Sequence, residues 1–188
     1  MKTIVYIGTS LDGFIARKDG DLDWLVQFEK PVRDDYRKFI AKIDAVVTGR
    51  GTFEKALTFP SWPYDKKVFV LSKTIKHIPE KLRGKATVLS MKPRALLKYL
   101  SKEGFSNIYV DGGKVIQGFL KDDCIDEMII TRVPVLIGSG IPLFGDLDHD
   151  LPFRHVRTRV FSNGLVKSRY ERIKASSGRR RADRARRR

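Results

Sequence analysis

Asp111-Gly112-Gly113 stands between an apolar run, Ile108 to Val110, and a segment of helical spacing, Lys114 to Leu120. A strand that stops at two glycines and turns straight into a helix exposes backbone amides and the positive end of a helix dipole at one point. That combination suits a phosphate. The same tripeptide also reads as an ordinary tight turn. Other chemistries have no residues to carry them. His77, His149 and His155 lack paired metal-ligand spacing, and the single cysteine, Cys124, supplies neither a Cys-x-x-Cys zinc motif nor an internal disulfide. No Gly-x-Ser-x-Gly nucleophile motif and no Gly-Lys-Ser/Thr phosphate loop occurs.

A phosphate turn of this kind needs a sheet to hold it, and the apolar pattern supplies one. Strand-like runs are Thr3 to Gly8, Ala45 to Thr48, Lys67 to Leu71, Thr87 to Ser90, Asn107 to Val110, Ile125 to Val133, Arg154 to Phe161 and Val166 to Arg172. Helical spacing covers Val32 to Lys42, Thr52 to Ala56, Pro93 to Lys102 and Lys114 to Leu120. The alternation predicts an α/β domain with a sheet covered by helices, while the last two strands follow each other without a helix. Between them, Ser162-Asn163-Gly164 predicts a hairpin in which Asn-Gly takes the positive φ angles of a tight turn. The sheet is therefore expected to be mixed, parallel for most of its width, with an antiparallel edge.

At 188 residues the chain fits one domain, and no repeat or second core is visible. The formal net charge of +16 is unevenly spread: residues 175–188 hold seven arginines and one aspartate, which leaves +10 for residues 1–174. That tail has no large apolar side chain and is expected to be disordered, so residues 1–174 make the domain. A nucleic acid is a partner the arginines could bind by counterion release, but a solvated extension is the favoured reading. The start of the chain does not read as a signal peptide, and no apolar stretch approaches the roughly 20 residues of a membrane span. A soluble, cytoplasmic protein is the expectation.

Four separated segments occur in an order that resembles the dihydrofolate reductase superfamily: Thr9-Ser10-Leu11-Asp12-Gly13-Phe14-Ile15-Ala16, Thr48-Gly49-Arg50-Gly51-Thr52-Phe53-Glu54, Val70-Leu71-Ser72-Lys73-Thr74 and Val110-Asp111-Gly112-Gly113. The run Pro134 to Phe144 is similar, within that superfamily, to the reductase domain of the bacterial riboflavin-pathway deaminase-reductase and its small stand-alone relatives. The resemblance spans residues 1 to 173. It implies a dihydrofolate reductase-like three-layer α/β/α fold and an NADPH cofactor. In relatives the peptide between the two glycines is cis, so a cis Gly112-Gly113 bond is expected here.

The resemblance gives each segment a role. Gly49 and Gly51 bracket Arg50 at a strand end, and Thr52 opens a helix whose first amides lack partners, so pyrophosphate oxygens are expected there with Arg50 as a charged fork. Ser72, Lys73 and Thr74 offer two hydroxyls and an ammonium to a 2'-phosphate. Gly112 and Gly113 let backbone approach the cofactor, Lys114, Val115 and Ile116 begin the helix beneath the phosphates, and Ile15 faces the nicotinamide. Two carboxylates compete to handle the proton. Asp12 lies where the riboflavin-pathway branch has an aspartate near the substrate, while Asp35, four residues before Phe39, resembles the acid that holds the pterin in dihydrofolate reductase. Asp12 also reads as an Asp-Gly turn, and Asp35 as an exposed first-turn helix acid. Ser10, Trp24 and Gly140 are the expected substrate contacts, with Trp24 lying against a planar ring or else anchoring its loop.

The expected activity is an NADPH-dependent reduction of a small heterocyclic or carbonyl compound, carried out by a homodimer and similar to that of 5-amino-6-(5-phosphoribosylamino)uracil reductase. A dihydrofolate reductase proper is the alternative, although Asp23-Trp24 stands where its mobile loop has Pro-Trp. A relative that keeps the fold and binds nucleic acid without chemistry is another.

Overall fold

In a computed structural model, described for residues 1–26, 28 and 33–174, the chain forms one large sheet with helices on both faces. In chain order the elements are β1 (Lys2–Thr9), β2 (Phe14–Ala16), α1 (Asp23–Val26), α2 (Arg33–Ile40), β3 (Ala45–Gly49), α3 (Arg50–Leu57), β4 (Lys67–Leu71), β5 (Ala86–Leu89), α4 (Pro93–Lys102), β6 (Asn107–Val110), α5 (Gly113–Lys121), β7 (Glu127–Arg132), β8 (Ile141–Pro142), β9 (Phe153–Val160) and β10 (Val166–Arg172). The strands of the large sheet lie in the order β5-β4-β3-β6-β1-β7-β10-β9. Neighbours from β5 to β7 are parallel, and β7, β10 and β9 are antiparallel. The mixed sheet with an antiparallel edge is the one the sequence pattern implies. Residues 175–188, the expected tail, and Val32 lie outside the described residues.

Period-2 alternation explains the layering, because both faces of the parallel strands carry apolar residues. Val5, Ala45, Val47, Phe69, Ile108 and Val110 face one side, where they pack with Leu96 and Leu100 of α4 and Ile116, Phe119 and Leu120 of α5. Their neighbours Ile4, Val46, Val68, Val70 and Tyr109 face the other side and pack with Phe39 of α2 and Phe53 of α3. Pro93 starts α4, where its missing N–H costs nothing.

Two features were not legible in the pattern. A two-stranded sheet pairs β2 with β8, and it ties the turn after β1 to the segment before β9. The hairpin between β9 and β10 is a different turn from the one expected: only Gly164 has positive φ, at 87°. Phe161 N donates to Leu165 O at 2.9 Å and Gly164 N to Phe161 O at 3.0 Å, so three residues close it, with glycine alone in the left-handed region.

A buried ion pair fastens the antiparallel edge to the parallel sheet. Glu127 of β7 is buried, and it accepts from Arg169 Nη2 of β10 at 2.9 Å and pairs with Lys2 Nζ of β1 at 2.5 Å. Both cations lie on strands adjacent to the acid.

Phe119 is fully buried beneath α5 against the central strands. Truncation by Phe119→Ala is expected to cost about 3–5 kcal/mol. Urea unfolding checks this as a lowered midpoint at unchanged slope.

Candidate active site

Strands β3 and β6 are parallel neighbours, with Val47 opposite Val110. The helices that follow them leave to opposite sides: α3 buries Phe53 on one face, and α5 buries Ile116 and Phe119 on the other. A crevice opens at the carboxyl ends of adjacent strands wherever successive helices diverge in this way. Both helix N-termini border it, and neither has a side-chain cap: Gly49 precedes α3 and Gly112 precedes α5 without a capping hydrogen bond. The first amides of each helix therefore have no protein side chain to satisfy them.

The glycines permit this convergence. A Cβ at Gly112 would sit 2.3 Å from Thr52 Oγ1, one at Gly113 3.0 Å from Ile15 Cδ1, and one at Gly49 2.9 Å from Val115 Cγ2. Residues from three separate segments thus meet around one backbone turn. The peptides of the described residues are all trans, so the expected cis Gly112-Gly113 bond is corrected. Gly112 itself, at φ +90°, reverses the chain and lets Gly113 enter α5 directly.

The remaining cofactor candidates border the same edge. Arg50, the first residue of α3, is exposed and 3.8 Å from Glu54. Gly51 is open, with nothing in the space a Cβ would fill. Ser72 Oγ accepts from Thr74 N at 3.1 Å and from Ile75 N at 3.0 Å, which shapes the turn after β4 and leaves Lys73 exposed. Lys114 is exposed, whereas the side chains of Val115 and Ile116 are core and only their backbone faces the helix start.

Three expected substrate contacts are instead built into the scaffold. Trp24 is 3% exposed and packs with Val133, Phe161 and Leu165, so it anchors its loop and offers no face for stacking. Ser10 is buried, and its hydroxyl accepts from Phe14 N at 3.0 Å and donates to Asp12 Oδ1 at 2.5 Å. A Cβ at Gly140 would lie 2.2 Å from Ala16 O, because this glycine packs its backbone against β2.

The two competing carboxylates are both held ionised. Asp12 accepts from the Ser10 hydroxyl, from Gly138 N at 2.8 Å and from Ile137 N at 3.4 Å, and these bonds hold it below the usual carboxylate range. As an acceptor it staples the first turn to residues 137–138. Asp35 is lowered chiefly by its hydrogen bond to Lys167 Nζ, with Arg159 Nη1 also near at 3.4 Å.

A third carboxylate, Asp111, has the opposite environment. It ends β6 immediately before Gly112, and Tyr64 Oη donates to its Oδ2 at 2.9 Å. Burial pushes its pKa up, against the lowering effect of Tyr64, Tyr109 and the Gly112 amide. The residue keeps partial access to solvent. Polar atoms without partners lie on the same face of the sheet: the hydroxyls of Tyr6 and Thr48, with the Trp62 indole N–H on the adjoining aromatic cluster. Orphaned buried polar atoms beside a crevice mark a place a ligand completes. The clue available in the sequence was the position of Asp111 directly before the glycine pair. Its partner Tyr64 stands 47 residues away, out of reach of any local pattern.

The mostly parallel three-layer sheet with this crevice defines a dihydrofolate reductase-like α/β protein. Residues 63–167 match the RibD C-terminal domain, and the chain belongs to that family. It is 41% identical to a Shewanella sp. PV-4 protein assigned by its name to riboflavin biosynthesis, with a TM-score of 0.87 over 93% of this chain and 100% of that one. The Thermotoga maritima diaminohydroxyphosphoribosylaminopyrimidine deaminase/5-amino-6-(5-phosphoribosylamino)uracil reductase shares the fold at 18% identity and TM-score 0.73, covering 92% of this chain and 56% of that one. Dihydrofolate reductase from Enterococcus faecalis, solved with NADP(H), shares it at 17% identity and TM-score 0.67, over 92% and 97% of the two chains.

Gly112→Ala is expected to lower stability by about 2 kcal/mol or more, since it meets Thr52 and places a side chain at positive φ. Adding Thr52→Ala removes the clash and is expected to restore part of the loss. Urea unfolding of the single and double variants measures both terms.

Proposed function

We propose that the protein is an NADPH-dependent reductase of a small heterocyclic or carbonyl compound. The observation that carries this reading is the meeting of two uncapped helix N-termini at Gly112, beside a half-buried acid with a raised pKa. The amides that open α3 and α5 suit a pyrophosphate, and the exposed Arg50 and Lys73 suit further anionic oxygens. Gly112 and Gly113 let Thr52 and Ile15 close directly onto the backbone of the turn. When bound, NADPH supplies the hydride.

The chain supplies the proton. Burial keeps Asp111 protonated at a higher pH than an exposed aspartate. Tyr64 donates to Oδ2, and that bond fixes the orientation of the carboxyl group. Tyr64 is itself raised by burial and by Asp111, so it remains a hydrogen-bond donor throughout the neutral range. Asp12 and Asp35, both ionised, shape the site without donating. This division of labour among three carboxylates follows from their environments alone.

Titration with NADPH, followed by nicotinamide fluorescence, tests the reading at its base: saturable binding in the micromolar range is expected, and none overturns it. Asp111→Asn is expected to leave that binding unchanged while lowering kcat/KM by about 10²-fold or more. In the wild type, kcat/KM is expected to fall as pH rises through the elevated Asp111 pKa, and the variant should lack this limb.

Stability has the same sign. The folded state holds the Asp111 proton more tightly than the unfolded chain, whose value is near 3.8. The stabilisation is therefore complete below that pH and is lost as pH rises through the folded value. Wild type should lose stability relative to Asp111→Asn across this window, as read by thermal unfolding at a series of pH values.

A further inference from the structure

A row of four residues crosses the sheet on the same face as Asp111. Gly8 of β1 is opposite Thr131 of β7, Thr131 is opposite Lys167 of β10, and Lys167 is opposite Arg159 of β9. Thr131 is 5% exposed and its hydroxyl has no partner. The Lys167 side chain is 12% exposed, and its ammonium lies 5.5 Å from the Phe161 ring centre, with the Arg159 guanidinium 4.5 Å from the same ring. Both cations point at a single carboxylate, Asp35 of α2, which is 21% exposed. Lys38, on the same helix, adds a third positive charge close enough to act on it.

Three cations around one carboxylate leave an excess of positive charge, and the buried Thr131 hydroxyl adds a donor with nothing to receive it. Charge of this kind in a partly dry setting costs free energy unless a counter-ion completes it. Arg159 is 63% exposed, so the row opens to solvent at that end. Lys167 of β10 lies three strands across from β6, roughly 14 Å at the spacing of strands in a sheet. That distance suits the far end of a molecule whose ring reaches Asp111.

We propose that Thr131, Lys167 and Arg159 form a subsite for an anionic substituent of the substrate, a phosphate or a carboxylate, and that Asp35 is the intramolecular carboxylate occupying it in the free protein. The proposal rests on the reductase reading for the identity of the ligand as substrate. It assigns Lys167 the direct charged contact and Asp35 the role of a competitor that the substrate anion displaces. A carboxylate that instead served only to latch α2 to the β9–β10 hairpin would give the opposite response to its removal.

The experiment measures binding of inorganic phosphate and, separately, malonate to the full chain at constant ionic strength, by calorimetry with the NADPH site saturated with NADP⁺. Asp35→Asn is expected to tighten anion binding about tenfold, and Lys167→Met to weaken it by a similar factor. Arg159→Gln, at an exposed position that does not threaten folding, is expected to weaken it about threefold. A preference for phosphate over malonate, or the reverse, identifies the substituent. Weaker or unchanged anion binding in Asp35→Asn overturns the proposal, as does binding indifferent to both Lys167→Met and Arg159→Gln. NADPH affinity, measured on the same variants, should not move. A chain that binds no NADPH refutes the reductase reading, while the differences among variants still report on the anion subsite.

Discussion

The close approach of Gly112 to Thr52 is the constraint on which the rest of the site depends. A Cβ at Gly112 would stand 2.3 Å from the threonine hydroxyl, so the ends of β3 and β6 come together only because one of them carries no side chain. That approach sets the starts of α3 and α5 side by side. It also fixes Asp111, one residue earlier, at the carboxyl end of β6. The adjacency of β3 and β6 is a consequence of chain order: β3, β4 and β5 are laid outward, and α4 then carries the chain back to insert β6 between β3 and β1.

Carboxylates show how strongly the setting decides the chemistry. Asp12 is surrounded by donors and is held ionised, Asp35 is paired with cations and is held ionised, and Asp111 is half-buried with neutral donors and is pushed toward its protonated form. The three side chains are identical. Differences in solvation and in neighbouring charge separate acceptor, ion-pair member and acid. The same face of the sheet carries all the polar contrast, passing from the tyrosines around Asp111 to the cations of β9 and β10.

Much of the scaffold was legible because it is written in short-range pattern. The bounds of β4, α4, β6 and β10 follow from apolar alternation and from Pro93, and the glycine pair marks the start of α5. Asn163-Gly164 announced a hairpin but not its turn, since Phe161 and Leu165 close it through three residues and Asn163 stays at negative φ. The β2–β8 pairing was illegible: Phe14 and Pro142 are far apart in the chain, and neither short strand carries a periodic signal. Trp24 illustrates a different limit. An aromatic side chain fits a ligand or a core equally well, and only the presence of Val133, Phe161 and Leu165 around it decides for the core.

By itself the sequence determined the alternation of strands and helices, the order that makes a mostly parallel sheet with an antiparallel edge, and the placing of Gly49, Gly112 and Gly113 at strand ends. These depend on local periodicity and on the absence of side chains at particular positions, which a one-dimensional pattern carries. Tertiary structure alone decided which carboxylate holds a proton, that Asp35 faces Lys167 across 132 positions of chain, and that Tyr64 meets Asp111. Burial and charge pairing arise between segments distant in sequence, and they exist only once the strands have chosen their neighbours.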